Sequence, residues 1–205
     1  MLPKTILAVL ILAFVLTANA ALDLTPTEHT FVGHGVPYRQ LLFRDGKKSI
    51  SMELPAGWSF RGGATRLQLT PPDKNFAEAV IEVAALPAAQ PLDEAATQKI
   101  EQQVLSTVPP GSQNVIVIER NRNAVVIGGN ESFEVFLTFQ TLGQTFCRST
   151  VVVNCPEMLL TFRFTAPKSE FAALNKTFRR SIASWQPSQP APFASVQGGP
   201  QMAPQ

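Results

Sequence analysis

The chain is poor in the residues that most hydrolytic and redox chemistry uses. It holds two histidines, two cysteines and one tyrosine in 205 residues. Both histidines, His29 and His34, lie near the N-terminus, so no imidazole follows to serve as the base of a Ser/His or Cys/His nucleophile system. Glu28, His29 and His34 could be grouped as metal ligands, but the Gly- and Pro-containing stretch around them offers no rigid frame. No metal, no cofactor and no catalytic residue is expected. Charge is scarce as well, at 16 % of residues against roughly 25 % in an average globular protein. The balance is nearly even, 17 Lys and Arg against 15 Asp and Glu. No large positive field steers polyanions to this protein, so nucleic acid is not an expected partner. The glycine pairs Gly62-Gly63 and Gly128-Gly129 lack the Lys and the following helix of a phosphate loop and read as turns.

The two ends differ from the middle. Lys4, the 12-residue apolar run 5–16 (TILAVLILAFVL) and Ala18-Asn19-Ala20 have the order of an export signal, residues 1–20, with cleavage after Ala20. A membrane-spanning helix needs about 20 apolar residues, so the run is too short for a stable span, although an uncleaved anchor is the rival reading. The protein is expected to be exported, to the periplasm or the medium. Residues 21–39, with Gly33, Gly35 and Pro37, read as a flexible leader. Residues 186–205 carry five Pro, five Gln and no charge. Such a segment buries too little apolar surface to offset the entropy of ordering it, and reads as a disordered tail. One domain, 40–185, lies between.

Within that domain the hydrophobic pattern alternates between two periods. Residues 49–54 (SISMEL) alternate Ile50, Met52 and Leu54 with polar neighbours, the mark of a half-buried strand. Residues 66–70 and 78–86 are further strands. Leu92, Ala96, Ile100, Val104 and Val108 recur at helical spacing behind Pro91-Leu92-Asp93-Glu94, and Pro109-Pro110-Gly111 stops that helix. Residues 114–119 (NVIVIE) are apolar on both faces and are expected to form a central strand. Residues 124–165 read as a three-stranded meander. A three-residue loop at Leu142-Gly143-Gln144 would set Phe139 opposite Cys147 and Val135 opposite Val151. A four-residue loop at 154–157 would set Val153 opposite Met158. That register gathers Phe133, Val135, Leu137 and Phe139 on one face with Cys147, Ser149, Val151 and Val153. A last helix, capped by Ser169, presents Phe171, Leu174, Phe178, Ile182 and Trp185, with the basic residues Lys176, Arg179 and Arg180 as its solvated end. Strands apolar on both faces imply helices on both faces. The expected fold is therefore α+β, an α/β/α sandwich with a central, mostly antiparallel sheet flanked by helices.

Cys147 falls mid-strand on the apolar face, and Cys155 in the turn that ends the strand. Eight extended residues span about 26 Å, and a disulfide needs Cα atoms within about 7 Å. No bridge is expected within one chain: Cys147 is a buried hydrophobe, and Cys155 is accessible and free to pair two chains. Carboxylates are sparse. Glu78 with Glu82, which share a strand face, and Glu119 with Glu134, across strands, are the pairs a carboxylate-based hydrolase would draw on. Arg120 and Arg122 flank a predicted turn, and Trp58 and Phe136 are aromatics at the core or its rim. These four make up the candidate partner surface.

The order of the signals resembles the PsbP-like superfamily. The resemblance rests on the strand ending Leu54-Pro55-Ala56-Gly57-Trp58, the helix near 92–108, the closing strand 159–167 (LLTFRFTAP), and the terminal helix ending Ser184-Trp185. That superfamily includes the extrinsic P subunit of photosystem II, the Mog1-type Ran-binding factors and bacterial envelope proteins. The resemblance implies the same sandwich and a binding or assembly role, and it carries no catalytic motif. The expected function is an exported, non-enzymatic binding or assembly module with a protein partner in the cell envelope. The alternatives are a carrier of a small apolar ligand or an envelope hydrolase using a carboxylate pair.

Overall fold

Alternation of apolar and polar residues is carried into strands along most of the chain. The computed structural model describes residues 22–33, 36–46, 48–86 and 91–188. The expected export signal at 1–20 and the expected tail from 189 onward lie outside the described residues. The elements run β1 (Asp23–Gly33), β2 (Val36–Asp45), β3 (Lys48–Glu53), β4 (Ser59–Gly63), β5 (Arg66–Thr70), β6 (Glu78–Ala85), α1 (Glu94–Ser106), β7 (Gln113–Arg122), β8 (Ser132–Thr141), β9 (Gln144–Cys155), β10 (Met158–Pro167), α2 (Lys168–Ala183) and β11 (Gln186–Ser188). The strands form two antiparallel sheets. One has four strands in the order β1-β2-β3-β11, and the other has seven in the order β4-β5-β6-β10-β9-β8-β7.

The fold is therefore mostly β and not the expected α/β/α sandwich. The small sheet accounts for the difference. Leu41, Phe43, Ile50 and Met52 give it one apolar face, which must be buried against something. It is buried on the face of the seven-stranded sheet that also holds α2, so β-structure shares with α2 the layer expected to be helical. Phe43 stacks on Trp185 at 5.2 Å between ring centroids, and Trp185 meets Phe162 of β10 edge-on at 5.4 Å. These two contacts join the small sheet, the end of α2 and the large sheet. At a corner, Leu24 N–H donates to Ala64 O at 2.8 Å, next to the outer strand β4.

Residues 21–39 hold the hairpin strand β1 and the start of β2, where a flexible leader was expected. Leu22 and Leu24 are buried in the main core, and beyond them the hairpin is an exposed ribbon. Arg39 grips Glu28 across it with two hydrogen bonds, of 2.5 and 3.1 Å. Backbone pairing holds this ribbon, and backbone pairing leaves little trace in hydrophobic periodicity. The tail's first residues, Gln186–Ser188, likewise pair with β3.

The meander is real, but its register differs. Thr141 pairs with Gln144, so the β8–β9 connection has two residues. Leu142 (φ 50°) and Gly143 (φ 72°) both have positive φ, the mark of a type I′ hairpin turn. Phe139 consequently faces Phe146, and Val135 faces Thr150. This one-residue slip moves the β8 apolar set to the other face of the sheet. Phe133, Val135, Leu137 and Phe139 pack with Phe146 and Val152 under Ile100 and Val104 of α1. Cys147, Val151, Val153, Leu160, Phe162 and Phe164 pack on the opposite face with α2 and the small sheet. At the β9–β10 turn Cys155 pairs with Met158, and Val153 with Leu160. That register is shifted by two residues, so the expected sharing of a face survives there.

α1 begins where Asp93 accepts a hydrogen bond from Ala96 N–H at 2.8 Å, an N-cap of the usual kind. α2 starts directly after Pro167 with no side-chain cap, so Ser169 lies inside the helix. It is held by its aromatic stripe: Phe178 stacks on Trp58 at 6.4 Å, and Phe171 on Phe136 at 5.3 Å. Leu142 is 76 % exposed and occupies a backbone region that favours Asn. Leu142→Asn is expected to raise stability by about 0.5–1 kcal/mol, read as a higher urea midpoint with an unchanged slope.

Candidate functional site

The four candidate surface residues do not form one surface. Trp58 is buried at 3 % exposure between Phe164 and Phe178. Phe136 is half-buried beneath α2 against Phe171. Arg120 and Arg122 lie within β7, not at a turn, and both hold α1. Arg120 clasps Glu101 with bonds of 2.5 and 2.7 Å, and Arg122 donates to the Leu92 carbonyl ahead of the helix. The Arg120 guanidinium keeps the Glu101 carboxyl below the usual carboxylate range.

What this clamp leaves open is β7 itself. The expected central strand is an edge strand, paired among the described residues with β8 alone. Bulges between Gln113 and Ile116 and between Val117 and Glu119 break its alternation, as bulges at sheet edges do. Val115, Ile116 and Ile118 are consequently 40, 54 and 49 % exposed, and only Val117 turns in toward α1. Residues 113–118 carry no charge; Glu119, Arg120 and Arg122 follow. Hydrophobic periodicity could not separate this strand from a buried one, because both are continuous apolar runs.

Beneath α2 lies a buried polar cluster. Ser149 Oγ donates to Glu134 Oε1 at 2.5 Å, and Arg179 donates to the same oxygen. Asn121 Nδ2 reaches Glu119 at 3.2 Å and Glu134 at 3.5 Å. The carboxylates of Glu119 and Glu134 are thus brought to one amide, yet Glu134 is already shared by a guanidinium and a hydroxyl. Arg179, expected at the solvated end of α2, is this cluster's cation. Glu78 accepts from Gln68 at 3.1 Å, while Glu82 binds Arg66.

On the α1 face, Arg148 of β9 is 4 % exposed. Its Nε donates to Thr165 at 2.9 Å, its Nη1 donates to the Thr107 carbonyl at the end of α1 at 2.8 Å, and its guanidinium lies 5.1 Å from the Phe139 ring centre. A cation suits a helix C-terminus. Burial, then Arg163, push its pKa down to about 10, against the pull of Glu78, so it stays charged at neutral pH. A groove of about 330 Å³ opens between β2, β3 and α2, with Tyr38, Leu54 and Pro55 beside Arg39, Glu53 and Arg180.

Both cysteines are free and buried. Cys155, expected in an accessible turn, is the last residue of β9 and 4 % exposed. Burial pushes both thiols up. Among the described residues, no three His, Cys, Asp or Glu side chains are grouped for a metal, and no helix is long and apolar enough to cross a membrane.

No family model and no curated protein matches the chain by sequence. Solved structures do match by shape. The solution structure of cyanobacterial PsbP (CyanoP) from Synechocystis sp. PCC 6803 is 11 % identical with a TM-score of 0.51, covering 82 % of this chain and 94 % of that one. LpqN from Mycobacterium tuberculosis, described as involved in cell envelope biogenesis, is 16 % identical with a TM-score of 0.49 over 77 % of this chain and 88 % of that one. A Bacteroides thetaiotaomicron structure matches at 18 % identity and a TM-score of 0.47 over 68 % of this chain; the match spans 45 % of that longer protein. The fold is PsbP-like, and at such identity the likeness is one of fold alone.

Two expectations follow from this geometry. Glu101 contributes stability above the unfolded carboxyl pKa of about 4.3 and loses that contribution as pH falls through its lower folded value. Glu101→Gln is expected to lower the thermal midpoint at pH 7, and to lower it progressively less as the pH falls below the unfolded carboxyl pKa. Neither thiol is expected to react with a thiol reagent in the native protein at pH 8, and both are expected to react once it is unfolded.

Proposed function

We propose that this protein is an exported, non-enzymatic binding module of the cell envelope, and that it takes an extended segment of a protein partner along the free edge of β7. The observation that carries this reading is the exposure of Val115, Ile116 and Ile118 on a strand with one unpaired edge. Proteins protect such edges with charge. Here the charge is confined to residues 119–122, and two of those side chains are committed to α1. The occupant that suits residues 113–118 is an uncharged, β-branched segment. Its backbone would complete the ladder, and its side chains would cover the three exposed ones. Export rests on the order of charge, apolar run and small residues at 1–20. A non-enzymatic role is supported by the commitment of Glu134, the carboxylate beside Ser149, to Arg179.

The test is a partner captured from envelope extract, identified, purified and bound in vitro. Ile116→Lys and Ile118→Lys are expected to weaken binding at least tenfold. Val126→Lys, at a 69 % exposed position outside β7, is expected to leave it unchanged. Equal binding by all three variants would overturn the edge reading, and so would self-association abolished by the two β7 substitutions. Turnover of a substrate by the purified protein would overturn the non-enzymatic one.

A further inference from the structure

Between α1 and the sheet lies a cavity of about 60 Å³ that the edge of β7 does not use. Its floor is made by neighbouring residues of β9 and β10, since Arg163 is paired directly with Thr150. Gln103 of α1 and Thr107, which caps that helix, close it from above, and Thr161 and Glu82 complete its polar rim.

Two of these groups lack partners. Among the described residues, the Thr150 hydroxyl and Arg163 Nε are both buried without a hydrogen bond. Thr150 is 3 % exposed and the Arg163 side chain 12 %. Leaving such groups unpaired is costly, more so where charged, so a buried pair facing one cavity calls for an occupant. The volume is well above the roughly 10–15 Å³ that one water requires.

The charges decide the kind of occupant. Arg163 Nη1 is 3.8 Å from Glu82, which is an ion pair but too long for a hydrogen bond. Glu82 meanwhile binds Arg66 through its other oxygen. Arg148 sits diagonally across from Arg163, beside the cavity; Glu78 attracts it, but among the described residues no carboxylate is hydrogen-bonded to it. Three guanidiniums thus face two carboxylates, Glu82 and Glu78, and Glu78 is bonded to a neutral amide. An acceptor-rich, negatively charged occupant would satisfy Arg163 Nε, which can only donate, and the Thr150 hydroxyl, which can do either.

We propose that this cavity binds a small tetrahedral oxyanion of the phosphate class, held by Arg163 and Thr150 on the sheet and closed over by the last turn of α1. The site ties the docking of α1 to the ligand, because Thr107 caps the helix and also accepts from Arg148.

The experiment is a titration of the full chain, after export, with inorganic phosphate at constant ionic strength, read by calorimetry and by thermal midpoint. Saturable binding is expected, with a midpoint that rises with phosphate and not with chloride. Thr150→Val preserves shape and removes only the hydroxyl; it is expected to fold and to bind at least tenfold more weakly. Arg163→Gln is expected to abolish binding. Arg180→Gln, at an exposed arginine on α2, is expected to leave it unchanged. Competition by glycerol phosphate would assign the site to a phosphate monoester, and failure to compete would assign it to the free ion. No saturable effect of phosphate, or equal affinity in Thr150→Val, would overturn the proposal and leave the cavity to water.

Discussion

The two-residue turn at Leu142-Gly143 is the constraint on which the rest of the molecule hangs. It sets Phe139 against Phe146 and Val135 against Thr150. From that pairing the seven-stranded sheet acquires two separate cores. One face is lined by the β8 set under α1, and the other by the alternate residues of β9 and β10 under α2 and the small sheet. A slip of one residue would bring both sets to the same face and leave the other face without an apolar surface.

The polar features follow from the same division. Side chains of β9 alternate between faces, so Arg148 and Thr150 point toward α1 while Ser149 points toward α2. On the α2 side, Ser149 joins Glu134 and Arg179 in a closed cluster. On the α1 side, Arg148 is anchored by helix carbonyl, hydroxyl and aromatic face. α1 itself is pinned from outside by Arg120 and Arg122 of β7. One short helix thereby closes the cavity beneath it, engages two charged residues of the edge strand, and leaves the uncharged half of that strand free.

Much of this was legible in the residues. The helical stripes of Ile100 and Val104, and of Phe171, Phe178 and Ile182, are where the periodicity puts them, because side-chain direction repeats every 3.6 residues whatever the helix packs against. The strands of the meander were legible for the same local reason. The partner of each strand was not. A turn of two residues and one of three both suit Leu142-Gly143, and only the competition between cores selects one. The strand 114–119 shows the same limit from another side. A continuous apolar run suits a buried strand as well as a bulged edge, and the bulges that expose Ile116 and Ile118 leave no local mark. The hairpin before Asp45 was missed because it is held by backbone pairing and by Arg39 on Glu28, not by an apolar stripe.

The candidate residues divide along the same line. Trp58 and Phe136 were recognisable as large apolar groups, and whether such a group caps a core or meets a partner depends on what arrives from elsewhere in the chain. Phe178 and Phe171 arrive more than 30 residues later and cover both. Local chemistry set in advance which segments become helix or strand, and that the cysteines are too far apart along one strand to bridge. Long-range packing settled the rest: which face each strand presents, which edge stays open, and which arginine is buried against the end of a helix. Those outcomes depend on contacts between residues distant in sequence, and no window of neighbouring residues contains them.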